Sequence, residues 1–270
     1  MTDQDREAAK AAFLKTHGFE RTVVRPLAAD ASSRSYARLE GAPHPALLMD
    51  APLQKEAPPC PPTADEATRR GWGYNAMARL AGPRLEAFTA LAQWLSAQGV
   101  SAPKVYAEDI DQGFAVIEDF GQRHLADVAQ DKAQEAVLYR QALLLLRPLQ
   151  QKALSAHDLG PWPLQTYDRL ALQAEADLFL DWYLADVGVP LTDNAKTDWY
   201  AAWSGMFDKL SPPQTLVLRD YHAQNILVKE DGQLAVIDFQ DALIGQAAYD
   251  AVSLLEDARR DVDPALADEL

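Results

Sequence analysis

The 270-residue chain reads as an α+β protein with a β-rich N-terminal lobe, residues 1–120, and a mainly helical C-terminal lobe, residues 121–270. Three observations predict this. Short apolar runs bounded by Gly, Pro and Asp recur through the first 120 residues, the signature of strands and tight turns. Leu and Ala at helical spacing dominate 124–156 and 167–209. Strand-like runs then return as "TLVL", "ILVKE" and "LAVIDF", which embeds a hairpin within the helical half.

Each element follows in chain order. Residues 3–17 form an amphipathic pattern stopped by Gly18. "RTVVRPL" (21–27), "RSYARLE" (34–40) and "PALLMD" (45–50) read as strands, the first two joined by the polar turn "AADASS". Residues 51–84 are rich in proline and weakly periodic, and read as an insertion or mobile loop. A helix over 85–98 closes at Gly99. "PKVYAEDI" and "GFAVIED" form a hairpin around Asp111, Gln112 and Gly113, leading to a connector at 117–123. "LQTYDRLALQAEADLFLDWYLADVG" is a strongly helical stretch. "EDGQ" supplies the turn between the last two strands, and a final helix covers 247–260.

Composition narrows the function. The length allows a sizeable core, and 48% hydrophobic residues is ordinary for a globular protein. No apolar run approaches the roughly 20 residues of a membrane helix. The N-terminus is charged, without a signal-peptide core, so a cytoplasmic protein with no membrane partner is expected. Acidic residues outnumber basic ones, 40 to 25, and the formal charge is −15. The basic footprint of a nucleic-acid binder is missing, so no nucleic-acid partner is expected. A single cysteine, Cys60, excludes an internal disulfide or a cysteine-based metal cluster. The last residues, "DARRDVDPALADEL", lie in or just after a helical stretch, and a longer natural chain is expected.

The chemistry concentrates in "LRDYHAQNILVKEDGQLAVIDFQDA", residues 218–242. Phosphoryl transfer needs a carboxylate that orients the accepting hydroxyl and takes its proton. It also needs hard oxygen ligands that hold magnesium against nucleotide phosphates. Protein kinases place the base and one ligand as Asp-x-x-x-x-Asn and a second Asp on the following hairpin. Here Asp220 precedes Asn225 by five residues, and the hairpin delivers Asp238. Asp and Asn also favour plain turns, but the third residue at this spacing favours the catalytic reading. Asp241 either joins the metal site or supports the loop. Asp250, in "AYDAVSLL", reads as a helix cap that braces the loop.

The segment "LRDYHAQNILV…LAVIDFQDALIGQAAYDAVSLL" resembles the aminoglycoside phosphotransferase/choline kinase-like superfamily. "DASSRSY", "LLMDAP", "GFAVIEDFG" and "EADLFLDWYL" bring it nearest to bacterial anomeric kinases of N-acetylmuramate and N-acetylglucosamine. The resemblance implies a bilobal protein-kinase-like fold with ATP between the lobes and Mg2+ as cofactor. It implies Asp220 as base, Asn225 and Asp238 as metal ligands, and Ser32, Ser33 and Arg34 in the turn over the phosphates. Glu118, Asp119 and Phe120 would form the hinge that meets adenine, and Glu175 would face the sugar. The implied reaction phosphorylates the sugar C1 hydroxyl in cell-wall recycling. Another hydroxyl substrate (an aminoglycoside, a choline-like alcohol, another sugar) or a nucleotide-binding pseudokinase is the alternative.

The sequence departs from the superfamily pattern in three places. Leu218 stands where His usually precedes the base by two residues. The turn over the phosphates has no glycine. The strand 45–50 has no lysine, leaving Arg34, Arg38 or Lys55 to replace it. Among the other candidates, His222 is expected to bond loop backbone, and Trp182 to lie in the core beside Leu178 on the face of Glu175, with stacking on the sugar as the alternative.

Overall fold

The computed structural model of the protein describes residues 2–28, 34–52 and 60–270. Helix α1 (Asp3–Thr16) opens with a capping box in which the Asp5 N–H donates to Thr2 Oγ1 and the Thr2 N–H donates to Asp5. It packs Phe13 and Leu14 against a five-stranded antiparallel sheet of order β1-β2-β3-β5-β4. The strands are β1 (Val23–Pro26), β2 (Ser35–Glu40), β3 (Ala46–Asp50), β4 (Val105–Asp109) and β5 (Phe114–Glu118). The β4–β5 turn requires Gly113: its φ is +70°, and a Cβ there would lie 2.1 Å from the Ala51 carbonyl oxygen.

The described residues 60–84 are not simply a loop. They contain α2 (Glu66–Trp72), capped by Asp65, and α3 (Tyr74–Met77). Both helices are too short to show a period in sequence, and the adjoining prolines hide their start. Tertiary ion pairs hold them. Buried Arg69 donates to Asp168 through Nη1 (2.5 Å) and Nη2 (3.0 Å), and to the carbonyls of Ala76 and Met77. Arg79 adds a second fork onto Asp168. Asp168 also caps α7 (Arg169–Leu178), so one carboxylate joins this segment to the helical half.

Helix α4 (Leu85–Ala97) lies beneath the sheet. Beyond the sheet come α5 (Leu125–Val128), α6 (Lys132–Gln150) and α7. A π-helical turn (Phe179–Tyr183), α8 (Leu184–Asp186) and α9 (Asp193–Phe207) follow. The expected strands appear as β6 (Thr215–Val217), β7 (Ile226–Val228) and β8 (Leu234–Val236). A further strand, β9 (Leu243–Gly245), pairs antiparallel with β6, and three residues are too few to signal it in sequence. The final helix is shorter than expected: α10 covers Tyr249–Leu255 and α11 covers Pro264–Glu269. One core joins the halves through Met49 and Ile117 of the sheet, Leu91 of α4, Tyr139 of α6 and Phe239.

Arg69→Ala should cost roughly 3 kcal/mol, because it removes one of the two arginine forks on Asp168 and the guanidinium bonds to two carbonyls. Arg70→Ala, at an exposed i,i+4 pair with Glu66, should stay within about 0.5 kcal/mol. Urea denaturation of the two variants measures this contrast.

Candidate active site

The segment from β6 to β7 carries Asp220, and buried groups hold it from three sides. The carboxylate of Asp250, on α10, accepts the Leu218 N–H at 2.8 Å and the Arg219 N–H at 3.0 Å. Tyr221 is buried and donates through its hydroxyl to the Ala142 carbonyl of α6. Arg219 takes a left-handed backbone, φ +77°, an uncommon conformation for a long side chain and one that needs outside support. Its guanidinium supplies that support. It donates to the Ala78 carbonyl at 3.0 Å, pairs with Glu175, and lies 5.3 Å from the Tyr167 ring.

Asp220 therefore sits at the tip of a fixed turn. Burial raises its proton affinity above that of an ordinary aspartate, and the Asp238 and Asp241 charges add to the shift. Asn225 holds the far side of the turn, its Nδ2 donating to the Asp220 carbonyl at 3.0 Å and towards Asp238 at 3.4 Å. Asp238 follows β8 with φ +58°, a conformation that aspartate tolerates better than most residues. Its other oxygen accepts from Gln240 at 2.8 Å. Phe239 stacks on Phe88 of α4 with centroids 5.1 Å apart, which fixes the backbone beside Asp238.

Asn225 and Asp238 line one end of a cleft of about 280 Å³ between the sheet and the β7–β8 hairpin. Tyr36, Leu47 and Ile117 form one wall, and Leu227 and Ile237 the other. Glu118, Asp119 and Phe120 border it where β5 ends. The N–H groups of Glu118 and Asp119 are engaged by the Lys104 and Pro45 carbonyls. The cleft thus has apolar walls that suit a flat ring and a polar end that suits charged oxygens.

The structure brings Asp220, Asn225 and Asp238 together as the spacing suggested, and 118–120 lines the same cleft. Ser32, Ser33 and Lys55 lie outside the described residues. Arg34 donates to the Gly82 carbonyl at 2.5 Å. Arg38 donates to Asp119 at 2.5 Å. Glu175 differs from expectation. Its carboxylate is taken by Arg219 and the hydroxyls of Tyr167 and Tyr249, so it is not a free acceptor facing the cleft. Trp182 is 73% exposed rather than in the core, because the π-helical turn breaks the α-helical register after Leu178. The His222 ring meets the Asn225 amide at 3.3 Å instead of backbone. Asp250 braces the loop as expected, but α10 begins at Tyr249, so it is not the cap.

Sequence reasoning missed the part played by 74–82. The Ala81 N–H donates to Asp241 at 2.6 Å, which makes Asp241 a loop support. Tyr74 lies close enough to Asp220, Arg219 and Asp241 to feel their charges. No local period marks these residues; paired arginines at 69 and 79 were the available signal.

This fold and site define a phosphotransferase: residues 23–270 match the phosphotransferase enzyme family, and the chain belongs to it. The chain is 42% identical over 268 residues to an N-acetylmuramate/N-acetylglucosamine kinase of Caulobacter vibrioides, covering 96% of this chain and 74% of that one. It is 30% identical to a protein of the same name from Pseudomonas putida, covering 85% of this chain but only 58% of the relative, less than two thirds of its length. The fold is shared with an aminoglycoside phosphotransferase, APH(2")-IIa, solved with streptomycin and ATP (TM-score 0.61, 14% identity, 99% of this chain and 80% of that one). It is also shared with the choline kinase LicA of Streptococcus pneumoniae (TM-score 0.56, 11% identity, 97% of this chain and 78% of that one).

Burial pushes the Asp250 carboxyl up to about 7, against two backbone N–H bonds that pull it down. The folded protein therefore binds a proton more tightly there than the unfolded chain, whose value is near 3.8. Stability from this group is complete at acid pH and is lost as pH rises towards about 7. The Tm difference between wild type and Asp250→Asn should shrink as pH rises through that window, and thermal melts across it test this.

Proposed function

We propose that this protein is an ATP-dependent kinase that phosphorylates N-acetylmuramate and N-acetylglucosamine on the anomeric C1 hydroxyl, in the cytoplasmic reuse of cell-wall sugars. The observation that carries the reading is Asp220 held on a braced turn beside Asn225 and Asp238, which line the end of an interlobe cleft. The 42% identity to a kinase named for these two sugars supports the choice of acceptor.

The raised proton affinity of Asp220 suits a base that takes the hydroxyl proton as the sugar oxygen attacks the γ-phosphorus. The bond from that phosphorus to the bridging oxygen breaks, and ADP leaves with the bridging oxygen's electrons. Among the described residues no three His, Cys, Asp or Glu side chains gather in a metal cluster. Asn225 and Asp238 nevertheless fit magnesium, which takes one or two carboxylates and completes its shell with water and phosphate oxygens. When bound, the ion neutralises charge on the phosphates. In this reading the backbone of residues 118–120 meets adenine, and Arg34 lies towards the phosphates. Glu175 acts as a positioning residue, holding Arg219 and through it the base.

Asp220→Asn should lower kcat by roughly 100- to 10,000-fold while ATP binding is retained. Asp238→Asn should abolish most turnover, and excess magnesium should not restore it. Steady-state kinetics with nucleotide-binding titrations test both. Phosphorus NMR of the product should show an anomeric phosphate. Phosphate on C6, or turnover of choline or an aminoglycoside in place of either sugar, would overturn the acceptor assignment.

A further inference from the structure

A second pocket, of about 370 Å³, lies between the α2–α3 segment and α7. Arg70, Tyr74, Asp177, Asp181 and Trp182 line it. Tyr74 connects it to the base, since it lines this pocket and feels the Asp220 charge. Helix α7 does the same: Glu175 holds Arg219 beside the base, and Asp177 and Leu178 form the pocket wall.

Among the described residues the pocket combines a flat apolar face, carboxylates and one cation. The π-helical turn leaves the Trp182 ring open to solvent, which suits stacking against the apolar face of a pyranose. The Asp177 carboxylate is engaged by Gln173 (2.8 Å), the Trp199 indole (3.0 Å) and the Tyr200 hydroxyl (3.3 Å), so part of its charge is already compensated. Asp181 is exposed and can accept from a hydroxyl.

Arg70 is the cation. Its neighbour on α2, Arg69, is buried and locked onto Asp168, so the helix carrying Arg70 is fixed against α7. Among the described residues Arg70 makes a long 3.7 Å pair with Glu66, with both side chains well exposed. Such a pair is worth little, and an arriving carboxylate can displace it. The two sugars named for the relatives differ in one way that matters here: N-acetylmuramate carries a lactyl carboxylate on O3, and N-acetylglucosamine has a hydroxyl. A pyranose that presents C1 to Asp220 extends its O3 substituent away from the base.

Resting on the function proposed above, we infer that Arg70 is the specificity-determining residue of this pocket and binds the lactyl carboxylate of N-acetylmuramate. A charge-assisted hydrogen bond of this kind accounts for roughly a ten- to hundredfold preference. Arg70→Ala should lower kcat/KM for N-acetylmuramate by that factor, mainly through KM, and leave N-acetylglucosamine and ATP nearly unchanged. Arg70→Lys should recover part of the loss, because it keeps the charge and gives up the fork. The readout is the ratio of kcat/KM for the two sugars, which a general loss of folding would not move.

An unchanged ratio in Arg70→Ala, with wild type active on both sugars, would overturn the Arg70 assignment and leave the kinase reading standing. An equal loss on both sugars that Lys does not recover would also overturn it. Wild-type protein inert towards both sugars would overturn the acceptor assignment and this inference together.

Discussion

The turn that carries Asp220 depends on one buried carboxylate, that of Asp250. Asp250 accepts two consecutive backbone N–H groups, those of Leu218 and Arg219, immediately before Asp220. Without that acceptor, two buried donors would be unpaired, each at a cost of about 1–3 kcal/mol. The same contact stabilises Arg219 in a left-handed conformation that its side chain would not choose alone. The guanidinium then turns towards Glu175, Tyr167 and the Ala78 carbonyl. Asp220 is aimed by what its neighbour binds and by what lies under the backbone.

That arrangement makes α7 a structural hub. Its first residue follows Asp168, which receives Arg69 and Arg79 from the α2–α3 region. Two turns on, Glu175 receives Arg219. Two and three residues further, Asp177 and Leu178 face the second pocket. Residues from distant stretches of sequence meet along one helix, so the turn that carries Asp220, the α2–α3 segment and the second pocket share one support. The polar contacts are mostly charge-assisted and partly or fully buried, where their strength exceeds that of surface pairs.

The distribution of charge also follows from this plan. The protein is strongly acidic overall, and several of its arginines are bound internally: Arg69 and Arg79 to Asp168, Arg219 to Glu175, Arg38 to Asp119. Arginine suits these sites because its fork satisfies several acceptors at once. Arg70, with its weak pair, stands apart from this group.

By itself the sequence determined the α+β class, the order of the main strands and helices, and the phosphotransferase chemistry. These were legible because they are encoded locally: alternation for strands, helical spacing for α4, α6 and α7, and Asp220, Asn225 and Asp238 at intervals that one turn and one hairpin can bring together. Only the tertiary structure decided what the charged side chains bind. Glu175 looked like a free acceptor, yet Arg219, Tyr167 and Tyr249 close on it from segments 8 to 74 residues away. Residues 51–84 looked like a loop, yet arginine pairs to Asp168, 89 and 99 residues distant, hold two helices against α7. Trp182 looked like core, until a π-helical turn changed the register by which its face is read. Periodicity reports which backbone a segment adopts; the partner of a buried charge is set by which segments the fold brings to it, and no local pattern carries that information.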